Sequence, residues 1–283
     1  SMRSEVRQIT VPEFTALKTS GRKIVMATAY DYALAGLVDA ADIEGILVGD
    51  SLSMVVQGHP NTLPVTLEEM IYHAEMVGRA VRRALVVVDM PFPSFHLGVH
   101  KAIENAGRIL KETRCQAVKL EGGAEQAEVI AALVSAGIPV MAHCGLRPQS
   151  VHQLGGYRVQ RDERQLLADA QAAEHAGAFS IVLECIPAAA AARITAAVKI
   201  PTIGIGAGAG CDGQILVLED MLGLSPRVPK FVKEYAQLGA GIEAAVEAFA
   251  GDVRNRAFPS AEHTYPMFDD SAAVTKKTKM TGS

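Results

Sequence analysis

Tryptophan is absent from the 283 residues, and aromatic residues together make up only 5%. A chain this poor in flat rings lacks the stacking platform on which single-stranded nucleic acids bind. Positive charge is also in short supply: 27 Lys and Arg face 31 Asp and Glu, for a net charge of −4. Without a basic block there is no phosphate-neutralising surface, which excludes general nucleic-acid binding. The four cysteines, Cys115, Cys144, Cys185 and Cys211, form no CxxC pair. They are too few for a disulfide framework at this length and wrongly spaced for a zinc ribbon. No apolar run reaches the ~18 residues of a membrane span, and the opening SMRSEVRQ lacks the apolar stretch of a secretory signal. At 49% hydrophobic and 20% charged residues, the composition is that of a globular chain rather than a disordered one. The expectation is a reduced, soluble, cytoplasmic protein with no membrane partner.

What the chain does have is a regular alternation. Short apolar, β-branched runs at 23–28, 45–49, 84–88, 116–120, 138–142, 179–183, 201–205 and 214–218 read as strands. Most are continuously apolar, as in a parallel sheet buried on both faces. Helical patterns lie between them. Residues 66–80 open on a capping box, Thr66 with Glu69. The patterns over 124–136 and 162–176 end at Gly137 and Gly177, residues suited to a left-handed helix terminus. The link between the seventh and eighth strands is too short and glycine-rich for a helix. A last helix is predicted over about 229–250.

Eight such units predict an α/β fold of the (β/α)8 TIM-barrel type, for which ~250 residues is typical. A doubly wound open sheet is the competing arrangement. We expect one barrel domain over 1–266, with an N-terminal helix capped by Thr10 and Glu13 closing its bottom, and a disordered tail over 267–283.

The chemistry sits at the strand ends. The second strand runs into Asp50-Ser51, the third into Asp89, the fourth into Lys119-Leu120-Glu121-Gly122-Gly123 and the sixth into Glu184-Cys185; the fifth ends on His143. A parallel barrel brings these ends to one face, where four carboxylates must raise one another's pKa or share a cation. Oxygen ligands without clustered Cys or His favour Mg2+ or Mn2+ over zinc. Lys119 and Glu121, two apart on a strand, point to the same side. One acid at a strand end is ordinarily a turn former or a helix cap. Four at equivalent ends, with Lys and His, are not explained that way.

Other signals are weaker. Gly204-Ile-Gly206-Ala-Gly208-Ala-Gly210 matches neither nucleotide fingerprint and reads as a tight packing loop, with anion binding as the alternative. Cys185 reads as a small hydrophobe, because no base lies near it in sequence. His73 reads as part of a helix face, and His59 and His152 as loop residues. On these grounds alone a metal-dependent lyase on the same barrel, or a non-catalytic anion-binding barrel, remains open.

A set of ordered blocks adds a resemblance. Ala29-Tyr30-Asp31, Gly49-Asp50-Ser51-Leu52, Val56-Gln57-Gly58-His59, Thr62-Leu63-Pro64-Val65-Thr66, Val118-Lys119-Leu120-Glu121-Gly122-Gly123, Gly155-Gly156-Tyr157, Leu183-Glu184-Cys185 and Pro229-Lys230-Phe231 resemble the ketopantoate (3-methyl-2-oxobutanoate) hydroxymethyltransferase family. The likeness runs from about residue 6 to Glu262-His263. Ser53 departs from it, standing where that family commonly has Gly.

The resemblance implies a Mg2+-dependent barrel of the phosphoenolpyruvate/pyruvate-type superfamily. Such an enzyme moves a one-carbon unit from 5,10-methylenetetrahydrofolate to 3-methyl-2-oxobutanoate, giving 2-dehydropantoate on the way to pantothenate. It implies Asp50 and Asp89 as direct metal ligands and Glu121 as a third acting through water. Ser51 and Lys119 would hold the oxo acid beside Asp50, Asp89 and His143, and Glu184 would be the general base. It also implies a homo-oligomer, a decamer of two pentameric rings.

Overall fold

The structure, a computed structural model, describes residues 7–267. The tail expected over 267–283 lies, from residue 268 on, outside the described residues. The described residues divide into two compact units, one ending at Tyr235 and one beginning at Ala236.

The first unit is a closed parallel barrel. Its strands, β1 (Ile24–Thr28), β2 (Gly45–Val48), β3 (Leu85–Asp89), β4 (Ala117–Lys119), β5 (Val140–Gly145), β6 (Ser180–Glu184), β7 (Thr202–Ile205) and β8 (Gly213–Leu216), pair in sequence order, and β8 returns to β1. All eight predicted strands are present, and closure excludes the open sheet. The helices of this unit are α1 (Val11–Ser20), α2 (Tyr32–Ala40), α3 (Leu52–Val55), α4 (Leu67–Ala80), α5 (Val99–Glu112), α6 (Ala127–Ser135), α7 (Val151–Leu154), α8 (Glu163–His175), α9 (Ala188–Ala197) and α10 (Leu218–Met221).

The predicted caps form as read. The Thr66 hydroxyl accepts from the Glu69 amide while the Glu69 carboxylate accepts from the Thr66 amide, and Thr10 and Glu13 do the same for α1. No helix joins β7 to β8. Gly206 and Gly208 have φ of +63° and +80°. A Cβ on Gly208 would stand 2.5 Å from that of Ala188, so glycine is required there for close packing.

Strand parity explains why the runs are apolar throughout. Leu85 and Val87 point into the barrel with Met26, Leu47, Ala117, Met141, Val182, Ile203 and Ile215. Val86 and Val88 point outward, under the helices, with Ile46, Val118 and Ile181. Phe14 of α1 belongs to the inner cluster. It is fully buried, and its ring stands edge-on to Phe179 at 5.8 Å. Lys18 of the same helix donates to the Thr195 carbonyl and to Asp212 Oδ2, both at 2.8 Å.

The second unit contains α11 (Leu238–Arg254). The helix predicted from 229 therefore starts nine residues late. The Tyr235 amide is drawn away to the Met221 carbonyl at 2.7 Å, which removes it from any helical ladder begun at Pro229.

Truncating Phe14 opens a cavity that barrel strands cannot collapse to fill. The Phe14→Ala variant is expected to lose roughly 3–5 kcal/mol, read as a lowered urea midpoint, with site residues undisturbed.

Candidate active site

The inward-facing residues at the top of the barrel form the site. Asp89 continues the Leu85, Val87 row of β3; Lys119 follows Ala117 on β4; His143 follows Met141 on β5; Glu184 follows Val182 on β6. Asp89 and Lys119 are register partners across β3 and β4. Asp50 breaks parity, because β2 ends at Val48 and the chain turns. Its amide donates to Asp89 Oδ2 at 3.0 Å. A Cβ on Gly49 would stand 2.8 Å from Ser51 Oγ and 3.5 Å from Asp89 Oδ2, so glycine leaves those two side chains their room.

A chain of contacts crosses the barrel mouth. Lys119 Nζ lies 3.0 Å from Asp89 Oδ1 and 2.9 Å from His143 Nδ1. It meets the aspartate as a buried ion pair. An ammonium only donates, so Nδ1 must accept. The His143 proton then sits on Nε2, which faces Glu184 Oε2 at 3.0 Å and the Leu146 carbonyl at 2.9 Å. Burial, then Lys119, lowers the His143 pKa. A neutral imidazole therefore shares its one N–H between Glu184 and the Leu146 carbonyl.

The remaining acids are buried and crowded. Burial first, then Asp89, pushes Asp50 up to about 7, and burial with Asp50 raises Glu121 well above the usual carboxylate range. Burial opposes the charge on Lys119, but Asp89, Glu121 and Asp50 outweigh it and its pKa rises. Glu184 differs in access: its side chain is 15% exposed, against 6% for Asp89.

The structure thus gathers Asp50, Asp89, Lys119, Glu121, His143 and Glu184 at one centre. Ser51 sits at the edge, bonded through Oγ to Tyr30 Oη at 2.7 Å. Tyr30 is fully buried and its phenol is pushed up by burial and then by Glu219, so it stays neutral. The Tyr30 carbonyl is met by His73 Nδ1 at 2.6 Å, which gives that helix-face histidine an anchoring contact. His59 and His152 are exposed. Cys185 adopts φ +48°, and burial followed by Glu184 pushes its thiol up to about 11, so it is no nucleophile near neutral pH.

Sequence reasoning missed Gln149. Its Nε2 donates to Asp50 Oδ2 at 2.9 Å and to the Met90 carbonyl at 3.1 Å, and its backbone amide donates to Glu121 Oε2 at 3.0 Å. It lies in a single turn after Pro148, where neither period nor motif marks it.

Among the described residues, no three His, Cys, Asp or Glu side chains form a ready-made ligand set. The donors nonetheless suit a hard cation carried with its waters, which is how Mg2+ is ordinarily held. Asp50 and Asp89 adjoin, Glu121 is tied to Asp50 through Gln149, and the buried oxygen Gln149 Oε1 lacks a hydrogen-bond partner.

Fold and site together define the class, a (β/α)8-barrel enzyme with its polar centre at the strand C-termini. The barrel is similar to that of phosphonopyruvate hydrolase, solved with oxalate and Mg++ (TM-score 0.59, 15% identity, 90% of this chain and 93% of that one). It is also similar to that of 2,3-dimethylmalate lyase, a PEP mutase/isocitrate lyase superfamily member (TM-score 0.60, 19% identity, 91% and 89%). At such identities the likeness is one of fold. Sequence goes further. The profile of ketopantoate hydroxymethyltransferase matches residues 8–261. The 3-methyl-2-oxobutanoate hydroxymethyltransferases of Desulforapulum autotrophicum and Rhodopirellula baltica are 56% and 54% identical to this chain, each over 259 residues. Those alignments span 91% of this chain and 98% and 96% of theirs. The chain belongs to the ketopantoate hydroxymethyltransferase family.

Glu219, on the rim in α10, gives a pH test away from the central acids. Burial, against its own backbone hydrogen bond, pushes it up to about 7, and its Oε2 has no partner. A carboxyl raised in the folded state contributes stability at low pH that is lost as pH rises through about 7. Glu219→Gln should therefore match the parent melting temperature at pH 4 and exceed it at pH 8.

Proposed function

We propose that the protein transfers a hydroxymethyl group from 5,10-methylenetetrahydrofolate to 3-methyl-2-oxobutanoate, giving 2-dehydropantoate for pantothenate synthesis in the cytoplasm. The observation that carries this reading is Glu184. It is the most exposed of the central carboxylates, and it lies against a neutral His143 beside a buried acid–lysine cluster in a chain of this family.

Asp50 and Asp89 would hold Mg2+ directly and Glu121 through water, and the ion would supply Lewis-acid polarisation of the 2-oxo group. Lys119 has donors beyond those it spends on Asp89 and His143, and would neutralise the substrate carboxylate. Ser51, backed by Tyr30, would orient it. Glu184 takes the C3 proton, and the His143 Nε2–H keeps its carboxylate aimed. The resulting enolate would attack the folate methylene carbon as one of its two carbon–nitrogen bonds breaks, the freed nitrogen taking up the proton held by Glu184; water would then cleave the second carbon–nitrogen bond, leaving its hydroxyl on the product and a proton on tetrahydrofolate. Holding both reactants in one pocket is worth roughly 7–11 kcal/mol in favourable cases.

The protein works as a homo-oligomer in this reading, a decamer of two pentamers. Taken by itself, α11 exposes Leu238, Ile242, Val246, Phe249 and Val253, an apolar stripe at helical spacing that assembly would bury. No described helix is long and apolar enough to cross a membrane.

Proton NMR of the oxo acid in D2O tests the two halves of the reaction separately. With Mg2+ alone, C3 deuteration is expected. With methylenetetrahydrofolate added, the hydroxymethylated product should appear. Release of a cleaved fragment without folate would instead favour a lyase. Glu184→Gln should still bind the oxo acid but lose at least 100-fold in C3 exchange; rapid exchange would refute Glu184 as base. Asp89→Ala should raise the Mg2+ concentration needed for half-maximal activity by tenfold or more, and unchanged activity at limiting Mg2+ would remove Asp89 from the ligand set.

A further inference from the structure

Gln149 makes more directed contacts with the central acids than any sequence signal suggested. Its Nε2 is committed twice, to Asp50 Oδ2 and to the Met90 carbonyl. That fixes the amide orientation, since the flipped form would set its oxygen against two other oxygens. Its backbone amide is committed to Glu121 Oε2. One residue from the loop after β5 therefore tethers two acids that come from the ends of β2 and β4. Its last polar atom, Oε1, is buried with no donor in reach. A buried carbonyl-type oxygen among carboxylates is costly to leave unsatisfied, and its neighbours on the acid side are themselves acceptors. What fits it is a donor brought in from outside, and a hydrated divalent cation brings such donors as its waters.

We propose that Gln149 is the positioning residue of the cation site. Its Nε2 sets Asp50, its main chain sets Glu121, and its Oε1 accepts from a water that accompanies the cation. The proposal rests on the reading of Asp50, Asp89 and Glu121 as a cation site, and it adds a residue which is not itself a ligand. It makes the two acids unequal: the tether to Glu121 is main chain and survives any side-chain change, whereas the tether to Asp50 does not.

Mn2+ titration of the full-length protein, followed by EPR of the free ion, tests it without turnover. Gln149→Met keeps the volume and removes both side-chain hydrogen-bonding functions; Gln149→Ala removes the side chain. Both should bind Mn2+ about 10- to 100-fold more weakly than the parent. Phe14→Ala, destabilised far from the site, should keep the parent affinity in its folded fraction. Parent-like affinity in the folded Gln149 variants overturns the proposal while leaving the cation reading intact. Failure of the parent itself to bind Mn2+ overturns both. A loss that Phe14→Ala shares, or failure of both Gln149 variants to fold, also overturns it, because Gln149 would then be structural. If only one variant folds, its affinity decides.

Discussion

The structure turns on an imbalance of buried charge. Asp50, Asp89, Glu121 and Glu184 converge on a barrel mouth where, among the described residues, the Lys119 ammonium and a histidine held neutral face them. Water solvates separate carboxylates well, and a protein interior does so poorly. The strand ends force the groups together because the closed sheet fixes where each chain emerges. Lys119 answers part of the excess, and removing a partner from a buried pair of this kind costs about 3–5 kcal/mol. The remainder shows in the raised pKa of Asp50 and Glu121. A site strained in this way is receptive to a compact dication, and the same barrel walls that create the strain keep the acids from moving apart to relieve it.

Environment then separates acids that are chemically alike. Asp50 and Asp89 are joined through a backbone amide and sit with Lys119 and Glu121 in the dry layer. Glu184 stands at the wetter edge and meets the lysine only through His143. The imidazole acts as a spacer: it passes on the order imposed by Lys119 without bringing a positive charge against Glu184. A protonated His143 would form a tight ion pair with that carboxylate and lower its basicity. Burial and the neighbouring lysine both work against that protonation. The differences among these acids are thus set by position relative to Lys119, more than by residue type.

How much of this was legible in the sequence depends on whether a residue obeys a period. The strands were legible because a sheet covered on both faces demands apolar residues without interruption, as in Leu85–Val88. Lys119 and Glu121 were legible as a same-side pair, and the capping boxes at Thr10 and Thr66 as spacings. Asp50 was found by its place after a strand, although its aim follows from a turn at Gly49 that parity does not describe. Gln149 and Tyr30 were not found as site residues. Their roles depend on contacts across 99 and 21 positions of chain, and nothing local distinguishes them from other loop residues. The start of α11 was misjudged for a related reason, since the competing partner of the Tyr235 amide is the Met221 carbonyl of another segment. Local pattern therefore reaches the groups that a strand presents directly. The groups that hold those in place are supplied by loops, where only the folded chain reveals which donor meets which acid. In this barrel that holding layer matters as much as the centre, because acids under mutual repulsion stay in place only where donors such as those of Gln149 restrain them.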